Sequence, residues 1–213
     1  MEIEAKFRVG NPAIFTALLQ LATIGPFDLE PATKVEEQHN TYFDTADQRL
    51  RAQRYGLRVR DLGTRRIATL KGAGSVQGEL HERDEWEVEV DNDNQPEHWP
   101  ASEVRARVLA LTGGAPLQAM LTSHTKRQNI YVRRGDVSIA ELSLDEGWLS
   151  AGGKEAAFRE LEIELKDDGS RADFNQLVTL LRERFALVPE ERSKLARGLA
   201  LLDDTDRATS PSL

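Results

Sequence analysis

The chain has 213 residues, enough for one medium-sized domain with a sizeable core, and its 39% hydrophobic and 30% charged residues are typical of a globular protein. Its 28 basic and 36 acidic residues give a net charge of −8, which disfavours general nucleic-acid binding and allows a small polyanion as partner only where basic groups gather. The chain has no cysteine for disulfides or thiolate chemistry, no apolar run near the roughly 20 residues that span a membrane and no signal-peptide core, so we expect a cytoplasmic protein.

The N-terminal half of the chain predicts mainly strands. Residues 1–9 alternate apolar with charged side chains, which predicts a strand, and Asn11-Pro12 predicts the start of a helix that ends near Leu21. Four further segments are expected to be extended: residues 34–44, 56–60, 65–71 and 80–90. The second and third of these flank a turn and form a candidate hairpin, and Gly72-Ala73-Gly74-Ser75 opens a flexible loop.

The C-terminal half predicts both helices and strands. Helical spacing of apolar residues predicts three helices: residues 101–111, 171–187 and 189–202. Strands are expected at residues 118–134, 136–146 and 157–166, with a glycine-rich turn at 147–155. Together these elements predict one α+β domain over residues 1–202, with about eight strands, and a flexible polar tail over residues 203–213.

Nearly every predicted strand places ionised side chains on one face and aliphatic side chains on the other. Because residues two apart in a strand share a face, the charged sets are Glu2, Glu4 and Lys6; Arg58 and Arg60; Thr69 and Lys71; Arg83, Glu85, Glu87 and Glu89; Arg127, Asn129, Tyr131 and Arg133; Glu141, Ser143 and Asp145; and Glu160, Glu162 and Glu164. For any single strand, a solvated outer face explains the alternation best. For the whole set this explanation is weaker, because like charges two residues apart repel each other without counterions.

A second interpretation closes the sheet into a barrel with the charged face inside. About eight strands suffice to surround a small ligand, and helices would then cover the apolar outer face. Charges inside a barrel must be paired or bound to metal, because isolated buried charges are very costly. Carboxylates favour hard cations such as Mg²⁺ or Mn²⁺, while Arg and Lys favour phosphate oxygens, so a lumen with both suits a metal–polyphosphate complex.

Motifs along the chain match a known family in order. Glu2-Ile3-Glu4-Ala5-Lys6 fits an E-x-E-x-K signature. The matching segments that follow are Tyr42-Phe43-Asp44-Thr45, Leu57-Arg58-Val59-Arg60, Lys71, Arg83-Asp84-Glu85-Trp86-Glu87, Thr125-Lys126-Arg127, Leu144-Asp145, Glu160-Leu161-Glu162-Ile163-Glu164 and Ser193-Lys194-Leu195-Ala196-Arg197-Gly198. Over residues 1–202 the chain resembles the CYTH superfamily, also called triphosphate tunnel metalloenzymes, and within it the bacterial inorganic triphosphatase branch.

This resemblance implies a closed antiparallel eight-stranded β-barrel, the triphosphate tunnel, with helices packed outside. By position it implies metal ligands at Glu2, Glu4, Asp145, Glu160 and Glu162. It implies triphosphate ligands at Lys6, Arg58, Arg60, Lys71, Arg83, Arg127 and Lys194. Glu85 and Glu87 would hold a second metal or orient water, and they complete a catalytic set with Glu2, Glu4 and Lys6. Glu141 and Glu164 match the family pattern less closely.

The implied reaction is metal-assisted attack of water on a terminal phosphorus, with Mg²⁺ or Mn²⁺ as cofactor and inorganic triphosphate as the expected substrate. One open alternative is the same fold acting on thiamine triphosphate or a nucleoside triphosphate, or cyclising ATP as a class IV-type adenylyl cyclase does. Another is a non-catalytic polyphosphate-binding module. We expect no nucleic-acid or membrane partner, and a homodimer rests on analogy alone.

Overall fold

The computed structural model describes residues 1–91 and 94–209, with side chains described up to Asp203. The strands are β1 (Glu2–Arg8), β2 (Thr23–Ile24), β3 (Phe27–Thr45), β4 (Gly56–Asp61), β5 (Arg66–Lys71), β6 (Ser75–Gln77), β7 (Leu80–Arg83), β8 (Glu85–Val90), β9 (Leu117–Arg134), β10 (Val137–Ala151), β11 (Lys154–Leu165) and β12 (Val188–Pro189). The helices are α1 (Ala13–Leu19), α2 (Arg49–Ala52), α3 (Glu103–Thr112), α4 (Arg171–Arg184) and α5 (Lys194–Thr209), with a 3₁₀ turn at Pro96–His98.

Every strand pairing is antiparallel, which confirms the predicted antiparallel α+β class. The strand order is β6-β7-β1-β11-β10-β9-β3-β4-β5-β8, with β12 paired to β1 and β2 paired to β3. Strands β7 and β8 lie near opposite ends of this order, yet only Asp84 separates them in sequence. The sheet therefore has to curl until its two ends approach each other.

The predicted closed eight-stranded barrel is wrong in two respects. Over the described residues the sheet has 12 strands, and hydrogen bonds do not close it. The physical reason is the break at Asp84 inside the predicted strand 80–90: β7 pairs with β1, whereas β8 pairs with β5. The backbone at this break is held by Gly72 N, which donates to Asp84 O at 2.9 Å.

The outer face of the curled sheet is apolar and carries most of the helices. One buried cluster joins Phe7 of β1 to α1 and to Phe174 of α4, and both phenylalanines are fully buried. A second cluster joins Leu57 of β4 to Leu50 of α2 and Val108 of α3. This burial of large apolar side chains on one face leaves the opposite, inner face to the polar residues.

Helix α5 departs from the prediction that helices pack only outside. Its Leu195 and Leu199 pack against Tyr42 and Leu121, which belong to a separate small cluster. Leu121 lies two residues from Ser123 on the inner face of β9, so α5 covers part of the sheet's inner face. The helix also continues past the predicted end at residue 202, while residues 210–213 of the predicted tail lie outside the described residues. The predicted domain boundary remains a prediction.

The segment predicted as a glycine-rich turn, residues 147–155, is mostly strand. Strand β10 runs to Ala151, and the turn shrinks to Gly152-Gly153, whose φ angles are +57° and +76°. Positive φ at both central residues suits a tight hairpin and favours glycine there. Within the described residues, no helix is long and apolar enough to cross a membrane.

Gly147 permits the close approach of β10 to β9 next to the polar inner face. A Cβ atom added at Gly147 would lie 1.9 Å from His124 O, whereas a Cβ at Gly10 would meet nothing within 4 Å. We expect Gly147→Ala to lower the free energy of unfolding by about 1–3 kcal/mol, the range for overpacking a rigid site. Urea unfolding of Gly147→Ala beside Gly10→Ala measures the difference, and equal stability of the two variants would contradict the tight strand approach.

Candidate active site

The inner face of the curled sheet surrounds one cavity of about 600 Å³. The predicted site residues that line it are Glu2, Glu4, Lys6, Arg58, Arg60, Lys71, Arg83, Glu85, Glu87, Arg127, Asp145, Glu162 and Lys194. These residues come from β1, β4, β5, β7, β8, β9, β10, β11 and the start of α5, so the fold gathers groups that are far apart in sequence. Glu141 and Glu164 line the same cavity.

Antiparallel register places opposite charges side by side on this face. Glu2 lies opposite Arg83, Lys6 opposite Glu162 and Asp145 opposite Arg127. Directly opposed side chains in a sheet are close enough to interact, and pairs of unlike charge are stabilising. Register alone therefore produces much of the ion pairing in the cavity.

One group of ion pairs joins the two ends of the strand order. Lys71 Nζ of β5 lies 3.0 Å from Glu2 Oε1 of β1 and 2.8 Å from Glu85 Oε2 of β8. Arg83 Nε of β7 lies 3.0 Å from Glu2 Oε2, and its Nη2 pairs with Glu4. Burial raises the pKa of Glu85, but the nearby Lys71 ammonium, hydrogen bonds with Glu2 and Lys71, and the charge of Arg58 together hold that pKa below its usual value. The Glu85 carboxylate is therefore ionised at neutral pH.

A second group surrounds three carboxylates of β10 and β11. Arg127 donates to both oxygens of Asp145 at 2.7 Å, and its Nη2 also donates to Glu162 Oε2 at 2.7 Å. Lys194 Nζ at the start of α5 lies 3.0 Å from Asp145, 2.6 Å from Glu160 and 2.8 Å from Glu162. Burial raises the pKa of Asp145, but Arg127 and Lys194 outweigh it and keep that pKa below its usual value. Lys194 thus holds the start of α5 on the sheet.

Two arginines of β4, the arginine pair Arg58 and Arg60, have much weaker partners: the one carboxylate contact of Arg58 among the described residues is Glu87 Oε1 at 4.0 Å. Within the described residues no carboxylate lies within ion-pair distance of Arg60, whose Nε donates to Asn40 Oδ1 at 3.0 Å. Burial, followed by the charges of Arg58 and Arg127, lowers the pKa of Arg60 to about 9. Arg58 Nη2 donates to Thr69 Oγ1 at 3.2 Å, and its buried Nε finds no acceptor among the described residues. Positive charge at the arginine pair therefore exceeds what the neighbouring side chains neutralise.

Comparison with known proteins decides the family. A family profile for the CYTH domain matches residues 1–199. The chain belongs to the CYTH family. This confirms the resemblance seen in the sequence motifs.

Individual relatives agree with this assignment. The chain is 29% identical over 205 residues to an inorganic triphosphatase of Haemophilus influenzae. This match covers 94% of the chain and 54% of the relative. The chain therefore spans about half the length of this relative. Among solved structures, a Hippeastrum protein described as an adenylyl cyclase candidate with a dominant triphosphatase activity matches with a TM-score of 0.65 and 23% identity over 94% of this chain and 96% of that one. An adenylate cyclase candidate of Bacillus halodurans matches with a TM-score of 0.61 and 25% identity, over 91% and 95%.

A carboxylate cluster in this CYTH domain has the chemistry of a metal site. One oxygen from each of Asp145, Glu160 and Glu162 lies within 4.8 Å of the others. Carboxylate oxygens without nitrogen or sulfur ligands fit a hard divalent cation. Glu160, however, does not line the cavity: it is fully buried and pairs with Lys194 and Arg197.

Several residues of the inner face were missed because they are uncharged. Gln38 and Asn40 of β3 and Thr125 of β9 line the cavity and are almost fully buried. The hydroxyl of Thr125 has no hydrogen-bond partner among the described residues. The same two-residue period that revealed the charged sets runs through Glu36, Gln38, Asn40 and Tyr42, and it would have found the β3 residues.

The ion pairs of Asp145 make stability depend on pH. Its pKa is lowered in the folded protein, so the stabilisation is complete above the unfolded value, about 4, and is lost as pH falls through the folded value. We expect Asp145→Asn to lower the free energy of unfolding at pH 7 by about 3–5 kcal/mol, because Arg127 and Lys194 lose a buried partner.

Urea unfolding between pH 7 and pH 3 in metal-free buffer checks this expectation. The deficit of Asp145→Asn relative to the natural protein should shrink as the pH approaches 3, because protonation removes the same charge. Asp28→Asn, at an exposed position of β3, is the matched control and should stay within about 0.5 kcal/mol of the natural protein. A deficit that does not vary with pH would mean that the charge of Asp145 is not what stabilises the fold.

Proposed function

We propose that this CYTH domain hydrolyses triphosphates in a metal-dependent reaction, with inorganic triphosphate as substrate and pyrophosphate and phosphate as products. The observation that carries the proposal is the arginine pair, which lies in the same cavity as ionised carboxylates but has, among the described residues, only one carboxylate contact, from Arg58 to Glu87 at 4.0 Å. A buried cationic site of this kind requires an anion. The carboxylates of the cavity suit the divalent cations that accompany polyphosphates.

The cavity offers cations for every part of a triphosphate chain. Arg58 and Arg60 can each present a guanidinium fork to phosphate oxygens. Further cations point into the same space: Lys6, Lys71, Arg83, Arg127 and Lys194. Phosphoryl transfer relies mainly on positioning and charge neutralisation, so this arrangement supplies what the reaction needs most.

The carboxylates supply the other requirement of the reaction. We assign Glu2, Glu4, Asp145, Glu160 and Glu162 as the residues that would hold Mg²⁺ or Mn²⁺. A bound divalent cation supplies charge neutralisation at the phosphate oxygens and a more acidic bound water. Glu160 would act from behind the cavity surface, through the carboxylate cluster that it shares with Asp145 and Glu162.

Glu85 and Glu87 are proposed to orient the attacking water. Glu85 is kept ionised by Lys71, and Glu87 Oε1 accepts a hydrogen bond from Thr69 Oγ1 at 2.7 Å. Ionised carboxylates are hydrogen-bond acceptors, so they can hold a water by its protons and receive one as it attacks. The new bond forms between this water oxygen and the terminal phosphorus, and the bridging P–O bond breaks to release pyrophosphate.

The relatives support hydrolysis and leave the choice of triphosphate to experiment. The Haemophilus influenzae relative is an inorganic triphosphatase, and the Hippeastrum neighbour is described by its dominant triphosphatase activity. Thiamine triphosphate, nucleoside triphosphates and ATP cyclisation are the alternatives on this fold, and a binding module without catalysis is the last. Phosphate release from several triphosphates separates the hydrolysis alternatives from one another, and cyclic AMP formation from ATP identifies cyclisation.

Phosphate release from inorganic triphosphate, ATP and thiamine triphosphate, each with Mg²⁺, Mn²⁺ or EDTA, tests the proposed activity. We expect metal-dependent release from inorganic triphosphate and a loss of roughly 10²–10³-fold in kcat/KM for Glu4→Gln, which removes one charged ligand. Glu37→Gln, at a half-exposed position on the outer face, should retain activity. Preferred release from ATP would move the protein to a nucleoside triphosphatase, and binding without release would leave only a binding module.

We expect Arg60 to contribute to triphosphate binding but not to the stability of the ligand-free protein. Because Arg60 has no carboxylate partner among the described residues, we expect Arg60→Met to leave the unfolding free energy of the ligand-free protein unchanged or higher. The same variant should raise KM for triphosphate by about 10- to 100-fold, which corresponds to the free energy that one charge-assisted hydrogen bond contributes. Urea unfolding and steady-state kinetics, with exposed Arg65→Met as control, measure both effects. Lower stability together with unchanged KM would make Arg60 a structural residue.

A further inference from the structure

The cations of the cavity fall into two groups that differ in what they contact. The paired cations each lie within 3.5 Å of an assigned metal-site carboxylate: Lys6, Lys71, Arg83, Arg127 and Lys194. The arginine pair does not, since the nearest carboxylate contact of Arg58 is Glu87 at 4.0 Å and Arg60 contacts the neutral Asn40. The paired cations are thus already neutralised by metal-site carboxylates inside the protein, and the arginine pair is not.

Lys194 occupies the position that a metal ion would need. Its single ammonium lies 2.6–3.0 Å from oxygens of Asp145, Glu160 and Glu162, the carboxylate cluster that has the spacing of a cation site. Lys6 adds a second positive charge, 3.2 Å from Glu4 and 3.5 Å from Glu162. A divalent cation that enters this cluster must displace or face these ammonium groups, and like charges at such distances repel strongly in a buried site.

The arginine pair, in contrast, can receive an anion without the displacement of an assigned metal-site carboxylate. Arg58 Nε has no acceptor, and the hydroxyl of Thr125 on the same inner face has no partner among the described residues. An arriving triphosphate can thus gain hydrogen bonds here without separating a cation from an assigned metal-site carboxylate. Once bound, its remaining negative charge attracts the paired cations away from their carboxylates.

We propose that triphosphate binds before the metal and creates the metal site by drawing Lys194 and Lys6 off the carboxylates. In the ligand-free protein Lys194 therefore acts as an internal competitor of the metal. Binding of the two ligands is mutually reinforcing, since any coupling between two binding sites is reciprocal. This inference rests on the proposed function, because it assumes a triphosphate and a divalent cation in the same cavity.

Binding of Mn²⁺ to chelator-treated protein, followed by the signal of free Mn²⁺ in electron paramagnetic resonance, tests the role of Lys194. The natural protein should bind Mn²⁺ weakly, and Lys194→Gln should bind it at least roughly tenfold more tightly. Lys126→Gln is the matched control, since Lys126 is 60% exposed on the outer face of β9 and pairs with Glu37 at 3.5 Å. Equal Mn²⁺ affinity in the natural protein and Lys194→Gln would overturn the inference.

A second variant guards against a folding defect. If Lys194→Gln is unfolded without metal, Lys6→Gln removes the other competing ammonium and should also bind Mn²⁺ more tightly than the natural protein. Thermal unfolding gives an independent readout, because Mn²⁺ should raise the Tm of either variant more than that of the natural protein. The same Tm shift in natural protein and variants would count against the inference.

The binding order needs its own measurement with a triphosphate whose bridging oxygens are replaced by methylene groups. Calorimetry in EDTA should detect binding of this analogue to the natural protein and much weaker binding to Arg60→Met. Calorimetry of Mn²⁺ into the complex, corrected for the Mn²⁺–analogue complex in buffer, should show tighter Mn²⁺ binding than to protein alone. Analogue binding only with metal would overturn the order.

These results are separable from a failure of the proposed function. If triphosphate is hydrolysed but Mn²⁺ binds equally well with and without the analogue, only the binding order is wrong. If no triphosphate is hydrolysed and the analogue does not bind, the proposed function fails and the inference fails with it.

Discussion

The structure depends on the burial of many unlike charges side by side on the inner face of one curled sheet. A buried charge without a partner costs far more than a single hydrogen bond contributes, so each strand must meet neighbours that neutralise it. A slip of one residue would turn Asp145 or Glu4 into the apolar outer cluster and bring Leu144 or Ala5 to the cavity. Charge pairing and apolar packing therefore specify the same register.

The ion pairs that satisfy this constraint also define what the cavity can bind. Most of the cavity cations are already paired with carboxylates, which leaves little free charge for a ligand. The arginine pair is the exception, with Arg60 held by a neutral amide and its pKa depressed by burial and by other cations. Local destabilisation is a common cost of a binding site, and the proposed function would account for it at the arginine pair. Here it falls on two residues of one short strand, β4.

The sequence predicts the inner face well and the course of the chain less well. The two-residue alternation places Glu4, Lys6 and Asp145 on the inner face, because in these strands the other face is apolar and buried. The same alternation continues through residues 80–90, so nothing in the pattern reveals the break at Asp84; only the pairing of β7 and β8 with different neighbours does. The apolar residues Leu195 and Leu199 predict a helix but not the face of the sheet that it covers. Buried neutral side chains such as Asn40 give no charge signal at all.

Because of the break at Asp84, the ion pairs of Glu2 help to join the two ends of the sheet, a role that backbone hydrogen bonds have between its other neighbouring strands. Hydrogen bonds do not close the described sheet, and its two ends are joined there by the covalent chain, by the Gly72–Asp84 backbone bond and by Lys71, which reaches from β5 to Glu2 of β1. Phosphate and metal ions do not compete for the backbone hydrogen bonds between strands. They do compete for the ammonium and the carboxylate of an ion pair. The two ends of the sheet are thus held partly by groups that a triphosphate and its cation would also use. In this fold, completing the sheet and binding the ligand draw on the same charges.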